Sequence, residues 1–192
     1  MTDKTKISQP FASIHYNENT GTQKLIEWMK KINADKDLGF GDIVFDASSN
    51  VDRKRPDVLV YEQPKSKKIL CLIEFKKPGE EHTRLDVIDK AQRAAKYRAS
   101  PYFATSNFKE LVWFDTKDQH QIDWFTLSSM ETLELIEDIR YKSRITQGLE
   151  KFLINLYEIH TGKAPKPKRN LDEVLRYILH QKVDFLANNY TP

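Results

Sequence analysis

The sequence predicts an α/β protein of the α+β kind, a mixed sheet flanked by helices, and three observations lead there. An unbroken apolar run, "ILCLI" at residues 69–73, reads as a strand covered on both faces, because a half-exposed strand would alternate. A hairpin signal, "VLVYE" then the turn "QPKSKK", precedes it, and an amphipathic helix followed by two further strands succeeds it. The predicted core order is therefore α, β, β, β, α, β.

In "TGTQKLIEWMKKI", Leu25, Trp28, Met29 and Ile32 recur at i, i+3, i+4, i+7, the stripe of an amphipathic helix, with Thr20 and Gln23 in capping-box spacing. Strands follow at 42–46, 58–62 and 69–75. After "PGE", Thr83 and Asp86 have capping-box spacing, and Leu85, Ile88, Ala91, Gln92 and Ala95 share one helical face. Pro101 ends that helix, and strands are expected at 102–105, 110–115 and 122–126. Two more helical stripes are Leu149, Phe152, Leu153, Leu156, Tyr157 and Leu171, Val174, Leu175, Ile178, Leu179, divided by the Pro/Lys-rich "HTGKAPKPKRN". The expected organisation is a core over 1–130 and a basic helical appendage, or linker to a further domain, over 131–192.

With 39% hydrophobic and 31% charged residues, the composition is that of a chain with a real core, which excludes disorder throughout. No stretch nears the roughly 18 apolar residues of a membrane span, and "MTDKTKISQP" has no apolar signal region, so a cytoplasmic protein is expected. Cys71 stands alone within the apolar run, so no internal disulfide or cysteine zinc site is available to it. The five histidines show no metal-ligand spacing, and no Gly-rich phosphate loop or G-x-S-x-G elbow is present. Between Arg140 and Lys182 ten Lys/Arg face four acids, an excess that favours a polyanion or makes a solvated basic face. Trp113, Phe114, Trp124 and Phe125 could stack on bases, although in strands such residues usually belong to the core.

The chemistry concentrates in "LIEFKK". In a strand, Glu74 and Lys76 project to one face and Phe75 to the other. Burying an ionised carboxylate costs several kcal/mol unless something compensates it. Asp57, at the start of the partner strand in "RPDVLVY", is expected to neighbour Glu74 across the hairpin. Two carboxylates about 4 Å apart repel by roughly 4 kcal/mol at an effective dielectric of 20, which a hard divalent cation reverses. A Mg²⁺ site is the economical reading, with Lys76 orienting or helping to deprotonate a water, or stabilising charge on a phosphoryl oxygen. The competing reading is a turn aspartate and a strand-end Glu74–Lys76 ion pair.

"RPD" at 55–57 and "EFK" at 74–76, followed by a helix and a strand, resemble the PD-(D/E)xK phosphodiesterase superfamily. Within it, "NENT", "RPDVLVYE", "CLIEFKKP", "AQRAAKY" and "YFATSNFKELVWFD" are most similar to the N-terminal nuclease domain of type I restriction enzyme R subunits and related restriction-modification enzymes. The resemblance implies a restriction-endonuclease-like core and Mg²⁺-dependent hydrolysis of double-stranded DNA, with Mn²⁺ able to substitute. It implies Asp57, Glu74 and the Phe75 carbonyl as metal ligands, Lys76 as the motif lysine, and Glu18 as the acid of the first helix, with Glu27 as alternate. It also implies partner motor, methyltransferase or specificity domains or subunits. The family's Gln-x-x-x-Tyr element is altered: Gln92 and Tyr97 are five apart, a step that turns roughly 140° past the starting face. Gln92 is the candidate for the edge of the active site and Tyr97 for packing. A catalytically inactive module of the same fold, serving DNA binding or assembly, is the alternative function.

Overall fold

The computed structural model describes residues 17–46 and 58–167. Six strands form one sheet in sequential order, β1 (Ile43–Phe45), β2 (Val58–Tyr61), β3 (Ile69–Phe75), β4 (Tyr102–Ser106), β5 (Glu110–Asp115) and β6 (Gln121–Thr126). Neighbours are antiparallel except β3 and β4, which run parallel. A parallel pair needs a crossover, and α2 (Leu85–Tyr97) provides it. Helices α1 (Glu18–Asp35) and α3 (Ile139–His160) cover the opposite face, preceded by a short 3₁₀ turn at Leu133–Leu135. The fold is thus the mixed α/β architecture that the sequence predicts, including the 58–75 hairpin.

Strand β3 is covered on both sides. Its Leu72 packs with Leu59, Phe103 and Ala91 toward α2, while Ile73 and Phe75 join the larger cluster toward α1 and α3. Every β3 residue from Leu70 to Phe75 is buried, so Glu74 is buried with them. Cys71 is a buried core residue as expected, its thiol pKa pushed up by burial.

Helix α1 buries the predicted Leu25, Trp28, Met29 and Ile32, but its cap differs. The Asn17 side chain accepts from the backbone N–H of Thr20 at 3.0 Å, so Asn17 and not Thr20 is the N-cap and Glu18 is the first helical residue. Helix α2 begins after Arg84, without a side-chain cap. Thr83 therefore does not cap it, and Leu85, expected inward, is 49% exposed because the inward row runs through Val87, Ala91 and Ala95.

Helix α3 corrects the expected boundary at 130. Its Ile145, Leu149, Phe152, Leu153 and Leu156 are buried in the same cluster as α1 and the sheet. Phe152 meets Trp113 and Phe125 edge-on, with centroids 5.9 and 5.8 Å apart. Each such side chain stabilises the fold by about 1.5–3 kcal/mol, so α3 is part of the core rather than an appendage. Beyond it, the Nζ of Lys166 pairs with Asp115 and lies 5.1 Å from the Tyr102 ring centroid. The second stripe, 171–179, lies outside the described residues.

Candidate active site

The last turn of chemistry in β3 sits at the carboxyl end of the sheet's parallel pair. Glu74 pairs with Thr105 of β4 and projects toward α2, and its side chain is 3% exposed. Such a carboxylate needs cationic compensation, and two ammonium groups supply it at one oxygen. Lys76 Nζ lies 2.7 Å and Lys90 Nζ 2.5 Å from Glu74 Oε1. Lys76 also donates to the Phe75 carbonyl at 2.9 Å, and its backbone N–H donates to the Ser106 carbonyl, continuing the ladder past β3.

Glu18 enters from the start of α1. It is partly buried, and its pKa is raised first by that burial. Lys76 opposes the rise, while the carboxylates of Glu80 and Glu74 add to it. The carboxylate of Glu18 therefore lies within the electrostatic field of the "EFK" residues. The N-terminal end of a helix would by itself favour the ionised form, so here burial wins.

Among the described residues, the hard oxygen donors that could hold a divalent cation at this strand end are the Glu74 carboxylate and the Phe75 carbonyl, with the Glu18 carboxylate nearby. No group of three or more His, Cys, Asp or Glu among the described residues is arranged to hold a metal ion. Asp57, the other expected ligand, lies outside the described residues.

Of the predicted residues, Glu74, Lys76, the Phe75 carbonyl and Glu18 come together. Gln92 does not join them. Its Nε2 donates to the Thr116 carbonyl at 2.8 Å and its Oε1 accepts from Gln119 at 2.9 Å, which ties it to the turn after β5. Asp115, just before that turn, pairs with Tyr102 at the start of β4, whereas Glu74 is level with Thr105 near the strand's end. Gln92 thus faces the other end of the sheet, a correction to its expected place at the active-site edge. Tyr97, expected to pack, is 83% exposed. Glu27, the alternate helix acid, is exposed and pairs with Lys24, away from the strand end.

Two neighbours of the site were not foreseen. Lys90 has no sequence mark separating it from Lys96, the other lysine of its helix; only the packing of α2 over β3 brings it to Glu74. His82, 2% exposed, has Nδ1 at 3.0 Å from Thr105 Oγ1 and Nε2 at 3.8 Å from Glu110 Oε2. Burial lowers its pKa, with Glu110 opposing, so the imidazole is held toward its neutral form. The aromatics expected in the core are there, except Trp124, 49% exposed on the edge strand.

The chain resembles the solved structure of the type IIG restriction endonuclease BpuSI, with a TM-score of 0.54 and 13% sequence identity, over 84% of this chain and 19% of that one. The chain therefore spans about a fifth of that enzyme's length, and the shared property is a restriction-endonuclease-like fold. No protein-family model and no curated protein matches the sequence. Among the described residues, no helix is long and apolar enough to cross a membrane.

Proposed function

We propose that this chain is a divalent-metal-dependent nuclease of the PD-(D/E)xK kind that hydrolyses phosphodiester bonds of double-stranded DNA, as the nuclease domain of a restriction-modification enzyme. The observation that carries the proposal is the buried Glu74, compensated at one oxygen by Lys76 and Lys90 beside the Phe75 carbonyl, which accepts from Lys76, at the end of a central strand. The restriction-endonuclease-like fold supports the same reading.

The donor set fits a hard cation such as Mg²⁺ or Mn²⁺. Glu74 and the Phe75 carbonyl are oxygen ligands, and the two ammonium charges on Glu74 equal the charge of one divalent ion. Asp57 is proposed as the second carboxylate. The resemblance of "RPD" at 55–57 to the PD-(D/E)xK motif supports this. A bound Mg²⁺ supplies Lewis-acid charge at the scissile phosphate.

The chain's own side chains supply the rest. Lys76, anchored on the Phe75 carbonyl, offers N–H donors to a phosphoryl oxygen as negative charge grows there. Glu18, with its raised pKa, is the carboxylate suited to accept a proton from an attacking water. Motor, methyltransferase or specificity partners are proposed from the resemblance to restriction-modification enzymes.

A second reading rests on a specific observation. The ammonium pair already neutralises Glu74, which is also what a structural ion-pair network in an inactive DNA-binding or assembly module requires. Incubating the purified chain with supercoiled plasmid separates the two. Nicking or linearisation with Mg²⁺ and none in chelator is expected; intact plasmid under both conditions, and with Mn²⁺, favours the module.

A further inference from the structure

A furrow opens between α3 and the segment that leaves β6. One cavity of about 310 Å³ lies between Thr126–Ser129 and the Arg144, Gln147 and Lys151 side of α3. A second, of about 190 Å³, continues it past Ser129 to Arg140 and shares Arg144. Arg140, Arg144, Gln147 and Lys151 stand at i, i+4, i+7, i+11, one face of the helix, and no carboxylate lines either cavity among the described residues.

Position 148, in the wall of the furrow, is glycine. A Cβ there would meet Leu127 Cδ2 at 2.7 Å and the Thr126 carbonyl oxygen at 2.8 Å, so only glycine lets the helix seat this closely. Arg140 is held by a two-point ion pair with Asp138. Arg144 and Lys151 are exposed and, among the described residues, have no acidic partner, which leaves two uncompensated positive charges along the furrow.

Its position relates it to the candidate active site. The ladder carries Phe75 through Ser106 and Leu111 to Phe125, so Thr126 ends β6 at the same end of the sheet as Glu74 and Lys76. Three strand spacings separate β3 from β6, about 14 Å at roughly 4.8 Å each. That span is about four base-pair rises of 3.4 Å.

We infer that the α3–β6 furrow is a phosphate-backbone site for duplex DNA, in which Arg144 and Lys151 hold a strand a few nucleotides from the phosphate presented to Lys76. The inference deepens the nuclease reading and rests on it for the position of the scissile phosphate. The contacts are to phosphate, so they set register on the duplex and contribute affinity that depends on salt, with no sequence preference.

Binding of a 30-base-pair DNA duplex in chelator, followed by fluorescence anisotropy across a salt series, tests it without cleavage. Arg144→Glu/Lys151→Glu should lower the magnitude of the slope of log K against log salt by about 1.8, two phosphates at roughly 0.9 each. The control Lys65→Glu/Lys67→Glu makes the same charge change in the turn between β2 and β3, at the opposite end of the sheet, and should leave the slope near that of the natural chain. Thermal melting verifies that both variants fold. An unchanged slope in the furrow variant, or equal losses in both variants, would overturn the inference. Duplex RNA bound more tightly than DNA, with the same loss in the furrow variant, would overturn the assignment to DNA. Plasmid cleavage read in parallel keeps the two ideas apart: cleavage with an unchanged slope sinks only the furrow, and a reduced slope without cleavage sinks only the nuclease.

Discussion

The Nζ of Lys90, on the crossover helix, lies 2.5 Å from Oε1 of Glu74, an oxygen that also accepts from Lys76. A carboxylate this buried with one cation on its own strand has a second cation supplied from the neighbouring layer. Helix α2 thereby does two things at once: it covers the apolar centre of the sheet through Ala91 and Ala95, and it sets the charge at the strand's end.

Lys90→Met keeps the apolar stem and removes the ammonium. In chelator the variant should lose about 1.5–3 kcal/mol, the size of one hydrogen bond to a charged group, because Lys76 still holds Glu74. If Mg²⁺ takes over compensation of Glu74, the metal should raise the melting temperature of Lys90→Met more than that of the natural chain. Identical shifts in the two proteins would mean that Lys90 does not compete with the ion.

Glu18 predicts a pH dependence of known sign. Its folded pKa is raised above the ordinary 4.5, mainly by burial, so the folded state holds the proton more tightly than the unfolded chain. Its contribution to stability is fully present below about pH 4.5 and is lost as pH rises through the folded pKa. Glu18→Gln cannot ionise, so the variant should gain stability relative to the natural chain at pH 8 and show no such gain at pH 4. A variant less stable than the natural chain at pH 8 contradicts this placement of Glu18.

Gln92→Ala tests the placement of Gln92 at the end of the sheet away from Glu74. Losing the bonds to Thr116 and Gln119 should cost about 1–2 kcal/mol in urea unfolding while leaving the rate of DNA cleavage within about twofold. Loss of cleavage with stability intact would return Gln92 to the active site.

The sheet was legible because its signals are local. The unbroken run at Ile69–Ile73, the turn "QPKSKK" and the i, i+3, i+4 stripes each depend on neighbours in sequence, and the strands and helices fall where these place them. Caps were less legible, since Asn17 and Thr20 both carry side chains able to cap and the spacing alone does not decide between them. The inward face of α2 was read correctly at Gln92, but periodicity says which face is buried and not which end of the sheet a residue meets. The same gap explains α3: its stripe announced a helix with an apolar face, while the identity of the surface it covers is a tertiary fact. Lys90 had no local mark at all, because its partner is 16 residues away across two layers.

The most direct measurement is DNA cleavage by Lys76→Ala alongside its metal-induced thermal shift. In the catalytic account the ammonium is needed at the phosphate while the carboxylate and carbonyl ligands remain. Cleavage should therefore fall by at least a hundredfold, about 2.7 kcal/mol of transition-state stabilisation, with the Mg²⁺-induced rise in melting temperature retained. Cleavage by Lys76→Ala at the rate of the natural chain would contradict the assignment of Glu74–Lys76 as the catalytic strand.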